Sequence, residues 1–168
     1  MTIEEIFLTE ASDKLAENMS RIERCVPKLP AAALWARGSQ NENAAGNLLL
    51  HLEGNVRQWI LSGLGGASDQ RDRPAEFAAQ SGPGGDVLLA NLRRTVSAAI
   101  DVIRSLPHTR LDEPVTIQGH ATTVLAAILH VVEHFSGHTY QIILITKQAT
   151  HEDLGFYRPI EQSGRKRG

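Results

Sequence analysis

With 168 residues, the chain has the length of one domain and is long enough to bury a hydrophobic core. Its formal net charge of −2 provides no overall attraction to nucleic acid or to an anionic membrane surface, so we expect neither as a partner. The lone cysteine, Cys25, excludes an internal disulfide framework and favours a reducing, cytoplasmic location. We expect its thiol to be buried and structural.

The N-terminal segment is acidic and lacks the apolar core of a signal or transit peptide. Helix one is predicted over residues 3–26, because apolar residues recur there at intervals of three and four. Thr2 followed by Glu5 is the pattern of a capping box, and Pro27 ends the helix. The connector that follows contains Trp35, which we expect to pack over one end of the helices.

Helix two is predicted over residues 42–64, where an apolar face recurs at helical spacing and His51 lies beside that face. Asn47 and Asn55 lie one turn before and one turn after the histidine. The two asparagines either hold a functional His51 in place or form amide contacts with solvent or a neighbouring helix. The sequence leaves both interpretations open.

The connection over residues 62–86 is unusually long for a compact domain and is rich in Gly, Asp and Arg. Four of its charged residues are Arg71, Asp72, Arg73 and Glu76. One hypothesis is that they line the mouth of a site and meet an anionic substrate. The other is that they form ion pairs within a solvated loop.

Helix three is predicted over residues 86–106, with Asp86 as its N-cap after two glycines. The segment after this helix is mixed in composition, and we expect a brief extended stretch at residues 115–117. His108 and His120 also lie in this segment, and we expect both imidazoles to face solvent.

Helix four is predicted over residues 122–147, a stretch without proline that is apolar on nearly every side and therefore belongs inside a bundle. Four polar residues follow one another at i, i+4, i+8 and i+11 and form one stripe along this helix, namely His130, His134, His138 and Gln141. Burying neutral imidazoles without partners is costly, so the stripe requires a ligand or hydrogen-bond partners.

Two histidines one turn apart can bind one metal ion, because their ring nitrogens converge beside the helix. Three in a row cannot share one ion, since the helical rise between His130 and His138 is about 12 Å. The spacing therefore leaves two adjacent pairs open, with His134 common to both, and a third ligand must come from elsewhere. The alternative is a stripe of core histidines that hydrogen bonds satisfy.

A histidine in the second helix of a small helical chain, followed in the fourth helix by HxxxHxxQI, resembles the DinB/YfiT-like superfamily of metalloenzymes. The superfamily signature is similar to HxxxHRGQI, which corresponds here to His134, His138, Gln141 and Ile142. The resemblance spans roughly residues 3–147 and implies a divalent metal held by His51, His134 and His138. The chain departs from the signature at Thr139 and Tyr140, where the family often has Arg and Gly.

Two glycines occupy matching positions beside the expected ligands, with Gly54 three residues after His51 and Gly137 three residues after His134. Glycine in a helix interior costs about 1 kcal/mol relative to alanine, so both positions need an explanation. Either the missing side chains leave room beside the metal for water or substrate, or they allow helices to approach closely.

We predict an all-α, DinB/YfiT-like four-helix bundle whose long connection between helices two and three covers one end. A single domain is expected over residues 1–162, with Leu154, Phe156 and Tyr157 packing across the bundle. Residues 163–168 form a basic segment that we expect to be disordered.

Three imidazole ligands leave a coordination position for water or substrate, and they suit zinc, nickel and iron alike. The resemblance implies a thiol-dependent S-transferase or isomerase that takes a small-molecule substrate and a low-molecular-weight thiol such as bacillithiol or mycothiol. The alternative is a non-catalytic, stress-associated metal-binding module. We expect a cytoplasmic homodimer, and the sequence indicates no separate general base.

Overall fold

The computed structural model describes residues 1–156, which form six helices and one two-stranded hairpin. The helices are α1 Ile3–Cys25, α2 Ala31–Leu34, α3 Ala45–Val56, α4 Arg73–Ala78, α5 Gly85–Ser105 and α6 Val124–Thr150. The strands are β1 Pro114–Ile117 and β2 His120–Thr123, and short 3-10 turns occupy Val26–Lys28 and His108–Arg110. The expectations for Tyr157 and for residues 163–168 lie outside the described residues.

The four long helices form the predicted bundle. Helices α1 and α3 each pack against both α5 and α6, which places α1 opposite α3, and the short α4 packs against α3. All four long helices bury apolar side chains in one core, including Leu15, Leu52, Leu92, Ile103 and Phe135. The predicted all-α fold is therefore confirmed.

Helix α1 begins with the predicted capping box. The backbone N–H of Thr2 donates to Glu5 Oε2 at 2.8 Å, and the N–H of Glu5 donates to Thr2 Oγ1 at 3.3 Å. The α-helix ends at Cys25, one residue earlier than predicted, where the chain tightens into a 3-10 turn containing Pro27. Cys25 is buried as expected, and burial raises the pKa of its thiol.

Helix α3 begins three residues later than predicted. The side chain of Asn47 replaces a conventional cap, because its Oδ1 accepts the N–H of Ala44 at 3.1 Å. Within the first turn, a Cβ on Gly46 would lie 2.8 Å from the ring of Trp35. The glycine therefore allows the indole to lie against α3, in agreement with the packing role expected for Trp35.

The second half of this helix is not a regular α-helix. Residues Arg57–Ser62 continue α3 as a π-helix, in which the N–H of Gly63 donates to the carbonyl oxygen of Gln58 at 3.0 Å. The π-helix places one additional residue in the turn. Apolar periodicity alone does not predict this local change, because Trp59 and Ile60 are buried in either geometry.

Helix α5 begins at Gly85, and Gly84 is its N-cap residue, so the prediction that Asp86 caps the helix is wrong. Asp86 lies in the first turn instead, where its charge still complements the helix dipole.

The stretch expected to be extended is the first strand of a hairpin. Strands β1 and β2 pair antiparallel through a two-residue turn in which Gln118 and Gly119 have φ values of 57° and 79°. The prediction that helix four begins at residue 122 is therefore wrong, since Thr122 and Thr123 belong to β2. Thr123 then caps α6 by accepting the N–H of Ala126 at 3.3 Å. His120, in the same strand, is exposed as expected.

The end of the described chain packs back onto the bundle. Leu154 is buried, and Phe156 packs against the core beneath the guanidinium of Arg24, which lies 4.4 Å from the ring centroid. Arg24 also donates to the carbonyl oxygen of Leu154 at 2.6 Å. Throughout residues 1–156, no helix has the length and apolar character needed to cross a membrane.

Candidate metal centre

Three histidines from two helices meet in the bundle. His51 projects from α3, and His134 and His138 lie one turn apart on α6. The Nε2 atoms of His51 and His138 lie 3.0 and 3.1 Å from Nε2 of His134. One nitrogen from each ring lies within 4.8 Å of the others, so the three side chains are close enough to bind one metal ion.

The fourth histidine of the stripe lies outside this group. The ring of His130 packs against Trp59, with centroids 4.2 Å apart, and against His134, with centroids 5.6 Å apart. Burial lowers the pKa of His130, which favours a neutral imidazole in this apolar contact. The sequence predicted Trp59 only as a core residue and gave no signal for its contact with His130.

A carboxylate from the long connection contacts the buried side of His51. Glu76 Oε2 lies 2.8 Å from His51 Nδ1, and Arg71 Nη2 lies 3.1 Å from the same nitrogen. Burial raises the pKa of Glu76, but hydrogen bonds from His51 and Arg71 outweigh it, so the net effect is a lowered pKa. An ionised carboxylate only accepts hydrogen bonds and a guanidinium only donates them, so Nδ1 of His51 donates to Glu76 at the shorter distance, and Arg71 Nη2 donates to the carboxylate instead of to the ring.

The charged residues of the connection do not share one role. Arg71 is buried and donates to Glu76 and to Gln58, so its guanidinium is engaged inside the protein. Asp72 accepts the N–H of Ala75 and caps α4. Arg73 is exposed over the ring of Phe77, 4.9 Å from its centroid. For Arg71 and Glu76 the ion-pair hypothesis is therefore correct, although the pair is buried and not solvated.

Neither asparagine beside His51 hydrogen-bonds to it within the described part of the chain. Asn47 instead donates to the carbonyl oxygens of Glu76 and Ala79, at 2.9 and 2.8 Å, and thereby fixes α4 to α3. Asn55 is buried, and its Oδ1 has no partner among residues 1–156. The interpretation of these asparagines as partners of His51 is wrong, because α4 supplies the partner.

The two matching glycines have different surroundings. A Cβ on Gly54 would lie 2.0 Å from Glu76 Oε1 and 3.0 Å from Arg71 Nε, so this glycine makes room for the ion pair. A Cβ on Gly137 would meet no atom within 4 Å. Close approach therefore explains Gly54 and does not explain Gly137. The structure offers no packing reason for the second glycine.

The electrostatics of α6 favour neutral imidazoles. Burial, together with the neighbouring histidines and Arg71, lowers the pKa of His134 to about 3. Burial also lowers the pKa of His138, against the opposing effect of its hydrogen bond to Gln141. Neutral imidazole is the form that ligates metals, so both rings hold the required protonation state near neutral pH.

The hydrogen bonds of the site suit a divalent cation. His51 Nδ1 donates to Glu76, and His138 Nδ1 donates to the amide oxygen of Gln141 at 2.7 Å. Both rings therefore direct an unprotonated Nε2 at Nε2 of His134, which carries at most one proton. His134 Nδ1 is buried without a partner among residues 1–156. A cation would satisfy three Nε2 lone pairs, and ligand nitrogens on a tetrahedral ion with bonds of about 2.1 Å lie about 3.4 Å from one another.

Sequence reasoning missed part of the surroundings of His51. The ring of Phe77 lies 4.5 Å from the His51 ring, centroid to centroid, and was not singled out. Glu76 was considered for the mouth of a site or for an ion pair within the loop, and not as a partner of His51, because no local spacing connects a loop carboxylate to a histidine 25 residues away. Tertiary packing alone brings them together.

Comparison with solved structures identifies the class of protein that this fold defines. A DinB-like protein, YjoA, from Bacillus subtilis is similar with a TM-score of 0.67 and 14% sequence identity. The match covers 88% of this chain and 96% of that chain, so the bundle described above has the DinB-like fold. A comparison with curated proteins gives no match.

The family follows from the sequence. The model of a family described as a protein of unknown function, DUF1572, matches residues 2–157, and the chain belongs to this family.

Proposed function

We propose that the protein binds one divalent metal ion through Nε2 of His51, His134 and His138. The observation that carries the proposal is the approach of Nε2 of His51 and of His138 to Nε2 of His134, at 3.0 and 3.1 Å. Three imidazoles form a ligand set of catalytic zinc sites and also suit nickel and iron. His130, packed against Trp59, is not a ligand in this proposal.

We further propose that the open side of the site takes a low-molecular-weight thiol and a small-molecule substrate, as in a thiol-dependent S-transferase or isomerase. His134 and His138 are only partly buried, which supports access from solvent, whereas His51 is buried. A bound divalent ion lowers the pKa of a thiol held against it.

The donor set favours a thiol over an alcohol. Within residues 1–156, the metal-capable cluster contains no carboxylate, and Glu76 is engaged by His51 and Arg71. A site whose neighbouring carboxylate is already engaged suits a nucleophile that needs little help to ionise. A thiol, with a pKa of about 8.5, meets this condition better than an alcohol does.

A second candidate is a non-catalytic, stress-associated metal-binding module. The position of the cluster supports this candidate. Its histidines lie on α3 and α6, so a bound ion would link these two helices. In that case metal binding stabilises the fold and no substrate is turned over.

Elemental analysis of the purified protein, followed by chelation, tests both candidates. We expect about one divalent ion per chain, since one three-histidine cluster binds one ion. Loss of thiol-dependent turnover on chelation, with helix content retained in circular dichroism, supports the enzyme. Loss of fold without turnover of any electrophile supports the module, and a protein that binds no divalent ion overturns both.

We also propose that residues 1–162 form one domain and that the protein is a cytoplasmic homodimer. Apolar side chains exposed along α6 support the dimer, namely Leu125, Leu129, Tyr140 and Leu144. The buried, reduced Cys25 supports the location.

A further inference from the structure

Residues 69–79, which contain α4, are fixed to the face of α3 that carries the histidine. The side chain of Asn47 donates to the carbonyl oxygen of Glu76 at 2.9 Å, and Gln58 Nε2 donates to Asp69 Oδ2 at 2.7 Å. Asn47 of α3 and Gln58 of the π-helix that follows it are both buried, so these hydrogen bonds form away from water. The position of the Glu76 side chain is therefore determined from both ends of the segment.

The carboxylate of Glu76 lies between His51 and Arg71. Arg71 Nε donates to Oε1 at 2.8 Å, and Nη2 donates to Oε2 at 2.9 Å, so the guanidinium binds both carboxylate oxygens. Glu76 Oε2 also accepts from His51 Nδ1 at 2.8 Å. The side chains of Arg71 and Glu76 are only 3% and 9% exposed, so the pair is compensated within the protein and shielded from solvent.

Helix α3 has a gap that accommodates this carboxylate. Gly54 lies one turn after His51, and a Cβ there would lie 2.0 Å from Glu76 Oε1. Any other residue at this position would displace the carboxylate or the helix. The close approach of Glu76 to His51 therefore depends on the glycine in α3 as well as on the hydrogen bonds between the side chains.

From this geometry we propose that Glu76 is a positioning residue for His51, with Arg71 balancing its charge. Glu76 keeps the proton of His51 on Nδ1, so the lone pair of Nε2 is directed at His134 and His138. The inference rests on the proposed function, in which these Nε2 atoms bind the metal. A carboxylate behind a metal-binding histidine fixes the orientation of the ring and makes the imidazole a stronger ligand.

Glu76→Gln provides the sharpest test. The amide has the size of the carboxylate, but it replaces one hydrogen-bond acceptor, an oxygen, with a donor, the NH2 group. Arg71 requires an acceptor, so the amide oxygen turns to the guanidinium and the NH2 group faces His51 Nδ1. A donor at that position favours His51 with its proton on Nε2. The proton then blocks the nitrogen that would bind the metal.

Two measurements on the full chain show whether Glu76 sets the protonated nitrogen of His51 or only helps to hold residues 69–79 against α3. Nitrogen-15 NMR of the metal-free protein reports which ring nitrogen of His51 is protonated. Competition with a chromophoric chelator reports the dissociation constant for zinc. The matched control is Asp69→Asn, which removes a carboxylate from the same segment where it accepts from Gln58 and from the N–H of Arg71.

We expect the proton of His51 on Nδ1 in the parent protein and in Asp69→Asn, and on Nε2 in Glu76→Gln. Zinc affinity should fall roughly 10–100-fold in Glu76→Gln and remain within about threefold of the parent in the control. A parent protein with its proton on Nε2, unchanged zinc affinity in Glu76→Gln, or equal losses in both variants would overturn the positioning role. A parent that binds no zinc, nickel or iron refutes the proposed function instead, and the tautomer measurement still decides what Glu76 does to His51.

Discussion

His134 is the residue on which the geometry of the cluster depends. Its Nε2 is the only one of the three that lies within hydrogen-bond distance of both others in the described structure. Its α6 neighbours differ in kind, since His138 points into the cluster and His130 packs on Trp59. The two sides of His134 therefore have separate roles, one toward a ligand and one toward the core.

Single alanine variants of the four histidines test this division. We expect His51→Ala, His134→Ala and His138→Ala each to lower metal occupancy sharply, because each removes one of three protein ligands. His130→Ala should retain the metal. Bound metal per chain, measured on the four variants purified in parallel, checks the prediction. A metal-free His130→Ala with a fully loaded His138→Ala would place the site one helical turn earlier.

The two glycines next to the ligands form a natural pair for mutagenesis. Gly54→Ala should lower the free energy of unfolding by about 1–3 kcal/mol, because its Cβ would meet the Glu76 carboxylate, which Arg71 holds in place. Gly137→Ala should raise it by up to about 1 kcal/mol, because alanine is the better helix former and the space beside it is open. Chemical denaturation of both variants measures the two changes. Equal effects of the same sign would contradict the structure.

At the scale of elements, one amide links α4 to α3 through two hydrogen bonds. The fully buried Asn47 bonds the backbone of Ala44, Glu76 and Ala79 and accepts from the guanidinium of Arg37. The bundle helices bury apolar faces, whereas this short helix is held mainly by polar contacts.

Asn47→Ala should therefore loosen α4 more than the bundle. We expect a loss of about 2–4 kcal/mol in the free energy of unfolding, because several buried polar groups lose their partner. Limited proteolysis should cleave first within residues 69–79. Asn43→Ala, at an exposed position shortly before α3, serves as the control and should leave both properties unchanged. Cleavage elsewhere in Asn47→Ala would show that another contact holds the segment.

The long helices were predictable because burial imposes a period on the sequence. The stripe Leu8, Leu15, Met19 and Ile22 specifies the core face of α1, and the apolar run of α6 specifies a helix inside the bundle. The start of α6 was not predictable in the same way, since β2 consists of four residues and depends on pairing with β1. The partner of His51 was also not predictable, because Glu76 reaches it through the fold and not through spacing.

At the scale of the whole molecule, the outer face of α6 presents four exposed apolar side chains to solvent. Leu129 and Leu144 are 52% and 55% exposed, although α6 also supplies much of the core. A helix with apolar residues on its buried and exposed faces is typical of a subunit interface. This face supports the proposed homodimer.

The double variant Leu129→Glu/Leu144→Glu tests the dimer. We expect the mass in solution, measured by light scattering, to fall from that of a dimer to that of a monomer, because four carboxylates would enter an isologous interface. Metal content should be unchanged, since neither leucine belongs to the histidine cluster. A parent protein that is monomeric at all concentrations would show that this face has another role.

The π-helix Arg57–Ser62 has a consequence for comparing this chain with its relatives. A π-turn arises when one residue is inserted into an α-helix, so a relative lacking that residue has a regular helix here. The π-turn absorbs the extra residue, so the positions after it lie on the same helix faces as in the shorter, regular helix. An alignment with such a relative should therefore place a one-residue gap between positions 57 and 62, and a gapless alignment that matches His51 will pair the wrong residues from Gly63 onward.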